Sequence, residues 1–405
     1  MRRILFILIF TGFLSAQFEP DTLNTVGGGM GVSVIDGNPY ISFNLSTELR
    51  FGKLGVGLNI PLLFSPKDGI KKDDWDSKRD YARIISYIRY GYRGSPFYVR
   101  LGALNFTTLG HGFLVYNYSN RVRTDVVKIG MEMSIDRGLW GLEFFNSDFG
   151  RLGVVGARVV ARPFLVVPIA ERLEFGASYV RDFDPDERKD TDDGISAFGF
   201  DAGFPIFEYS LLSTEVYMDY GNIVDNGHGA AEGIIFRFSR LGIFDLSLKL
   251  EERQLSAHFL PAYFNRMYEV DKFTKQEILD SITEGENGSF GELYAEALGK
   301  LKAYGNFFHK KGVKNSGVLN LYATTGTMFP LFRVNWRYFK DRIETMNDIF
   351  SIDERSVLFT EIGYRMNPYT TVYMVITRRY RLDEETGEFE PEDTYSIRAD
   401  FSWRF

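Results

Sequence analysis

The chain has 405 residues, a formal net charge of −7, no cysteine, 16% aromatics (37 Phe, 23 Tyr) and 40 Gly. Without cysteine there are no disulfides, thiolate metal sites or cysteine nucleophiles, and an acidic balance argues against nucleic acid. The mean hydropathy of −0.16 is too polar for a helical membrane protein. Past the N-terminus no charge-free apolar run reaches the length of a membrane helix, and the most apolar stretch, 152–170, is interrupted by Arg158 and Arg162. Many Phe, Tyr and Gly at modest hydropathy suit a sheet in which only every second residue meets lipid.

At the N-terminus, Arg2 and Arg3 precede an apolar run from Ile4 to Leu14, then Ser15, Ala16 and Gln17. This is the pattern of a secretory signal over residues 1–16, cleaved after Ala16. The run is too short for a comfortable membrane anchor, and no Cys follows to carry a lipid. Residues 17–405 then form one unit with a net charge of −9, and about eight residues before the first strand leave no room for a plug domain or periplasmic repeats. The run Gly27-Gly28-Gly29-Met30-Gly31 precedes no helix, so it reads as room in a first strand and not as a phosphate loop.

From there, side-chain alternation with period 2 dominates. Ile41, Phe43, Leu45, Thr47, Leu49 and Phe51 oppose Ser42, Asn44, Ser46, Glu48 and Arg50; Phe244, Leu246, Leu248 and Leu250 oppose Asp245, Ser247, Lys249 and Glu251. Such segments number about eighteen: 25–35, 40–51, 54–64, 81–92, 97–110, 123–135, 139–147, 151–163, 172–183, 195–204, 209–221, 230–240, 242–252, 314–327, 330–341, 355–366, 369–382 and 394–405. Merging the weak places at 136–151 and 195–221 gives sixteen. Very short links, such as 52–53, 93–96, 136–138 and 367–368, alternate with long polar ones at 65–80, 111–122, 184–194, 222–229, 253–313, 342–354 and 383–393. Short turns at one rim and long loops at the other predict an all-β, up-and-down antiparallel transmembrane barrel. The acidic loops read as solvated, with divalent cations bridging them to lipopolysaccharide as the one further expectation.

The 253–313 insertion changes period. Thr274–Glu277 (TKQE) and Ser289–Glu292 (SFGE) look like capping boxes, each followed by apolar residues at helical spacing. The expectation is two short helices on the outer side, acting as a lumen constriction or lid, or as an external cap that binds a partner.

The chain closes on TYSIRADFSWRF, with Tyr395, Ile397, Ala399, Phe401, Trp403 and Phe405 on one face and Ser396, Arg398, Asp400, Ser402 and Arg404 on the other. This segment resembles the C-terminal insertion signal of bacterial outer-membrane β-barrels, carried by Phe401, Trp403 and Phe405. The resemblance implies an outer-membrane location, recognition by the barrel-insertion machinery, and contact with outer-membrane lipid. With the C-terminus periplasmic, every short link is periplasmic and every long one, the insertion included, lies outside.

Charged residues on the inward parity are the lumen-lining candidates. The basic ones are Arg50, Arg83, Arg89, Arg100, Lys128, Arg158, Arg237, Arg333, Arg337, Arg365, Arg379 and Arg398. The acidic ones are Glu132, Asp245, Glu361 and Asp400, together with Glu48, Glu143, Glu174, Asp201, Glu215, Asp219 and Glu251. Basic residues concentrate towards the last strands and the adjoining first ones, suggesting a basic stripe; the alternative is simple pairing between strands. The four histidines, His111, His228, His258 and His309, lack ligand spacing to one another, so neither a metal site nor a cofactor is indicated. His111, between Gly110 and Gly112, would place a base at the rim of a catalytic barrel, but no Ser or Asp partner is readable; the two glycines equally mark a bend into the loop or lumen. The sequence thus points to a passive, porin-like channel for small polar or charged solutes. The alternative is a non-conducting barrel that serves as adhesin, scaffold or secretion partner through 253–313.

Overall fold

In the computed structural model, the alternating segments close into one antiparallel barrel of 20 strands. The structure describes residues 25–35, 38–65, 69–71, 75, 81, 84–122, 128–150, 152–164, 167, 170–188, 193–240, 243–326, 328–382 and 389–404. The signal segment 1–16, Arg83 and Phe405 lie outside them.

The wall runs in chain order: β1 (Thr25–Ile35), β2 (Asn38–Phe51), β3 (Leu54–Ser65), β4 (Ile85–Tyr90), β5 (Phe97–Gly102), β6 (Gly130–Asp136), β7 (Trp140–Asn146), β8 (Val154–Ala161), β9 (Glu174–Asp182) and β10 (Ile195–Glu208). It continues with β11 (Leu212–Ile223), β12 (His228–Arg240), β13 (Phe244–Leu255), β14 (Glu286–Ala297), β15 (Leu301–Lys310), β16 (Gly317–Thr324), β17 (Phe332–Ile343), β18 (Ser356–Asn367), β19 (Thr370–Leu382) and β20 (Phe389–Arg404). Each strand pairs with its neighbours in sequence. β20 returns to β1, with Thr25 opposite Arg404 and Gly31 opposite Arg398, so no edge is left open.

The terminal strand shows which face is which. Ile397 is 70% exposed and Tyr395 65%, whereas the Arg398 side chain, of the opposite parity, is 19% exposed and ion-paired to Glu361. Apolar residues outside and charges inside invert the arrangement of a soluble protein. A closed sheet suits that inversion, because its strands satisfy one another's backbone groups without water. The architecture is therefore that of an outer-membrane β-barrel. No helix among the described residues is long and apolar enough to cross a membrane.

Two expectations need correction. The wall has 20 strands, not eighteen or sixteen, and the second expected helix of 253–313 is the hairpin β14–β15. Gly291, Leu293 and Ala295 face out while Phe290, Glu292 and Tyr294 face in. Apolar side chains on both faces hide the period of 2, and Leu293, Ala297 and Leu301 mimic helical spacing. A single helix remains in the insertion, α1 (Tyr268–Ser281), and it begins six residues before Thr274. Thr274 is an interior residue whose hydroxyl donates to the Asp271 carbonyl, not a cap. A whole hairpin adds two strands and leaves parity unchanged, so both ends of the barrel wall still fall on the rim of short links.

Candidate functional site

Two excursions leave the wall at paired positions. Gly102 is the register partner of Gly130, with residues 103–129 between them; Leu255 is the partner of Glu286, with 256–285 between them. Neither stands clear of the barrel as an outer loop. Val115–Tyr116 pairs in parallel with Phe264–Asn265. Leu104, Phe113 and Tyr118 of the first excursion share a buried cluster with Phe259, Phe264, Tyr268 and Leu279 of the second, and with Phe145, Val180 and Ile223 of the wall. The two excursions together form a plug.

The tip of the first excursion is built by its glycines. Gly110 (φ 55°) and Gly112 (φ 90°) adopt the left-handed region, where side chains carrying a Cβ are strained. The Gly112 N–H closes a turn onto the Leu109 carbonyl at 3.0 Å. This turn drives His111 into the wall. Its Nδ1 lies 3.0 Å from Asp219 Oδ1 and its Nε2 3.4 Å from Glu215 Oε1, both on β11. The ring stacks on Tyr217 at 3.9 Å, and Lys249 on β13 donates to the His111 carbonyl at 2.6 Å. Burial pushes the imidazole pKa down, but the hydrogen bonds to Asp219 and Glu215 prevail and hold it at about 9. The Gly110 N–H reaches Glu143 on β7 at 3.0 Å. Tyr116 donates to Glu292 on β14 and lies 3.2 Å from the Tyr304 hydroxyl on β15.

Behind the tip lies a charge network. Arg158 on β8 makes a two-point contact with Asp201 on β10 (2.8 and 2.5 Å) and reaches Glu174 at 2.9 Å. Nearer the long-loop rim, Tyr118 donates to Glu269 of α1, which also takes Lys128 at 2.5 Å. Tyr268 donates to Asp182 of β9 at 2.9 Å. Lys275, 2% exposed, stands over the rings of Tyr263 and Tyr268 at 5.5 and 5.8 Å. Burial lowers its pKa to about 8 despite the attraction of Asp271.

The other sequence candidates lie around this plug. Glu48 gathers Arg50 (3.1 Å) and Arg89 (2.5 Å). Arg100 stacks on Tyr87 at 3.8 Å and donates to the Ala103 carbonyl at 2.7 Å, where the first excursion departs. Glu132 takes Arg93 at 2.6 Å, and Arg237 takes Glu215 at 3.1 Å. Asp245 accepts from Ser239, Arg365 donates to the Pro368 carbonyl at 2.8 Å, and Arg379 pairs with Glu392 at 2.7 Å. Away from the seat of His111, Arg398 bridges Glu361 (2.8 Å) and Asp400 (2.9 Å) and lies over Tyr373. Arg337 lies over Phe359 and Tyr322, and Arg333 lies beside Tyr373. Arg266 of the plug, stacked on Phe106 at 4.8 Å, faces this group. Burial and the Arg337 guanidinium both push its pKa below the ordinary range. In the insertion signal, Phe401 is exposed and the backbone of Trp403 pairs with Val26.

Sequence reasoning placed Glu143, Asp201, Glu215 and Asp219 on the inner face by parity, but it gave them no partner. It missed Tyr116, Tyr118, Arg266, Glu269 and Lys275 as parts of one assembly. The signal that could have found the first excursion is the run HGFLVYNY, too apolar for an exposed loop.

No family model matches the chain, and no curated protein does. Among solved structures, the chain is similar to Wzi of Escherichia coli, described as an outer-membrane carbohydrate-binding β-barrel involved in group 1 capsule assembly. Identity is 11% and the TM-score 0.40, covering 94% of this chain and 84% of that one. It is also similar to OccK2 (OpdF) of Pseudomonas aeruginosa, at 11% identity and a TM-score of 0.39, over 95% and 97% of the two chains. A third is the outer-membrane protein OpdK of the same organism, at 13% identity and a TM-score of 0.36, over 95% and 98%.

Proposed function

We propose that the protein is a passive outer-membrane channel for small polar or charged solutes, narrowed by the internal plug and biased towards anions. The observation that carries this reading is the one-sided seating of the plug. Past its root on β4 and β5, the hydrogen bonds described from its first excursion to wall strands fall on β7, β11 and β13–β15. Arg333, Arg337 and Arg398 line the wall that Arg266 faces, against the two carboxylates Glu361 and Asp400. Guanidinium groups on either side of a passage stabilise an anion between them, and each pairs planar carboxylates or phosphates with two parallel hydrogen bonds. The remaining candidates, from Arg50, Arg89 and Arg100 round to Arg365 and Arg379, extend the polar lining towards the rims.

The test is the reversal potential of purified protein in a planar bilayer under a salt gradient. The wild type should favour anions, and Arg337→Glu with Arg398→Glu should move selectivity towards cations. Unchanged selectivity would refute the basic passage, and silence in the bilayer would refute the channel. A second reading draws on the dense packing of the plug cluster, which resembles a protein interior: a closed barrel whose outer surface binds a partner. Silence that persists after the plug is removed favours it.

A further inference from the structure

The seat of His111 contains more than a latch. Nitrogen of His111 and carboxylate oxygens of Asp201 and Asp219 lie within 4.8 Å of one another. The same three residues, with Ser178 among the rest of the lining, border a cavity of about 20 Å³. Asp219 is 6% exposed, and its Oδ2 is buried without a hydrogen-bond partner. An orphaned carboxylate oxygen in such a place is costly unless a cation or a donor meets it. Asp201 is balanced by Arg158 and Glu215 by Arg237. Among the described residues, Asp219 therefore has only His111 and the more distant Lys249 to offset it.

We propose that His111, Asp201 and Asp219 form a site for a divalent transition-metal ion of the zinc class, which staples the plug to the barrel wall. The donor set fits that class. One imidazole nitrogen with two carboxylates is a borderline N/O environment, whereas calcium and magnesium take oxygen alone. Glu215 already stands 3.4 Å from the other ring nitrogen of His111. With Nδ1 turned to the metal, Nε2–H donates to Glu215, the carboxylate–histidine pairing that fixes the tautomer of metal-bound histidines. Ligation replaces the Nδ1 proton of His111, which leaves to solvent. Because His111 belongs to the plug while Asp201 and Asp219 belong to β10 and β11, the ion joins parts that are otherwise held by hydrogen bonds and packing. The site stands on this contact and does not depend on the channel reading.

The experiment uses the full-length barrel in detergent, stripped with EDTA, titrated with Zn²⁺ by calorimetry, and checked by metal analysis after gel filtration. One Zn²⁺ per barrel is expected, abolished in Asp219→Asn and in His111→Ala, weakened about 10- to 100-fold in Glu215→Gln, and unchanged in Asp184→Asn at the separate Asp184–Asp186–Asp193 cluster. Co²⁺ should give a visible absorption band in the wild type that disappears in Asp219→Asn. Failure of the wild type to retain zinc overturns the proposal, as does retention by Asp219→Asn. Asp219→Asn preserves side-chain shape, so the test holds even where His111→Ala unseats the plug.

Discussion

Replacing residues 103–129 with a short glycine–asparagine turn should open the barrel. The perturbation is clean because Gly102 and Gly130 already face each other in register, so a tight turn can join them without moving a strand. Twenty strands at a spacing of about 4.8 Å, tilted by about 40°, close at a backbone radius of roughly 20 Å. Side chains fill about 5 Å of that radius, half of a sheet-to-sheet spacing, leaving a cross-section of roughly 700 Å². A plug about 10 Å thick, the width of a packed layer, crossing a bore of about 30 Å removes roughly 300 Å², and α1, about 10 Å across, narrows it further. Single-channel conductance scales with open area at fixed length, so opening the bore from roughly 400 to 700 Å² with α1 left in place should raise it by a factor of about 1.7 or more. Planar-bilayer recording of the folded variant, verified by heat-modifiable migration, measures this directly. A folded variant with unchanged conductance would show that the excursion does not obstruct the bore, and the account of the plug would fail.

Other outcomes follow from the same contacts. Phe259, 1% exposed and 5.5 Å from Phe113 in ring centroids, should cost about 3–5 kcal/mol of local docking when replaced by Ala. That loss reads out as faster protease cleavage within 256–285 while the barrel stays heat-modifiable. Lys275 carries a pKa of about 8 in the fold, against about 10.4 unfolded. Between these values the undocked state binds more protons, so docking of α1 should strengthen as pH rises through the window, by about 3 kcal/mol in all. Lys275→Met should flatten that dependence, and equal pH profiles for variant and wild type would contradict it. At Gly233 an added Cβ would sit 2.2 Å from the Tyr217 ring, so Gly233→Val should displace the ring that stacks on His111. A cost of about 1–3 kcal/mol is expected from overpacking, seen as a lower urea midpoint.

The barrel was legible because its rule is local. Side-chain direction alternates along every strand, so Ile397 outside and Arg398 inside follow from neighbouring letters alone. The rule fails where the inner face is itself apolar or aromatic. Near the long-loop rim, Val180 and Ile223 point inward against the plug. On β14, Phe290 points inward under Arg253 at 4.0 Å. A lumen filled with protein needs apolar residues on both faces of its wall, and the period of 2 is lost where that happens. The miscounted hairpin β14–β15 therefore bears the same mark as the plug that lies against it: Glu292 and Tyr304, which receive Tyr116, are on those two strands.

The site was illegible for a different reason. Spacing arguments find ligands on one helix or one loop, and His111 meets residues 90 and more positions away. Asp201, Glu215 and Asp219 come from adjacent strands β10 and β11, whose inward parity puts them on one surface, and the sequence did show that much. It could not supply the depth at which the His111 turn enters, because that depth depends on two glycines with positive φ and on a second excursion packed behind the first. Once the turn is seated, two carboxylates face one imidazole. Two acceptors on one ring require both nitrogens to carry hydrogen, or one of them to carry a metal. The choice between proton and metal at Nδ1 decides whether the plug is held by a hydrogen bond or by coordination, and so how readily it can leave.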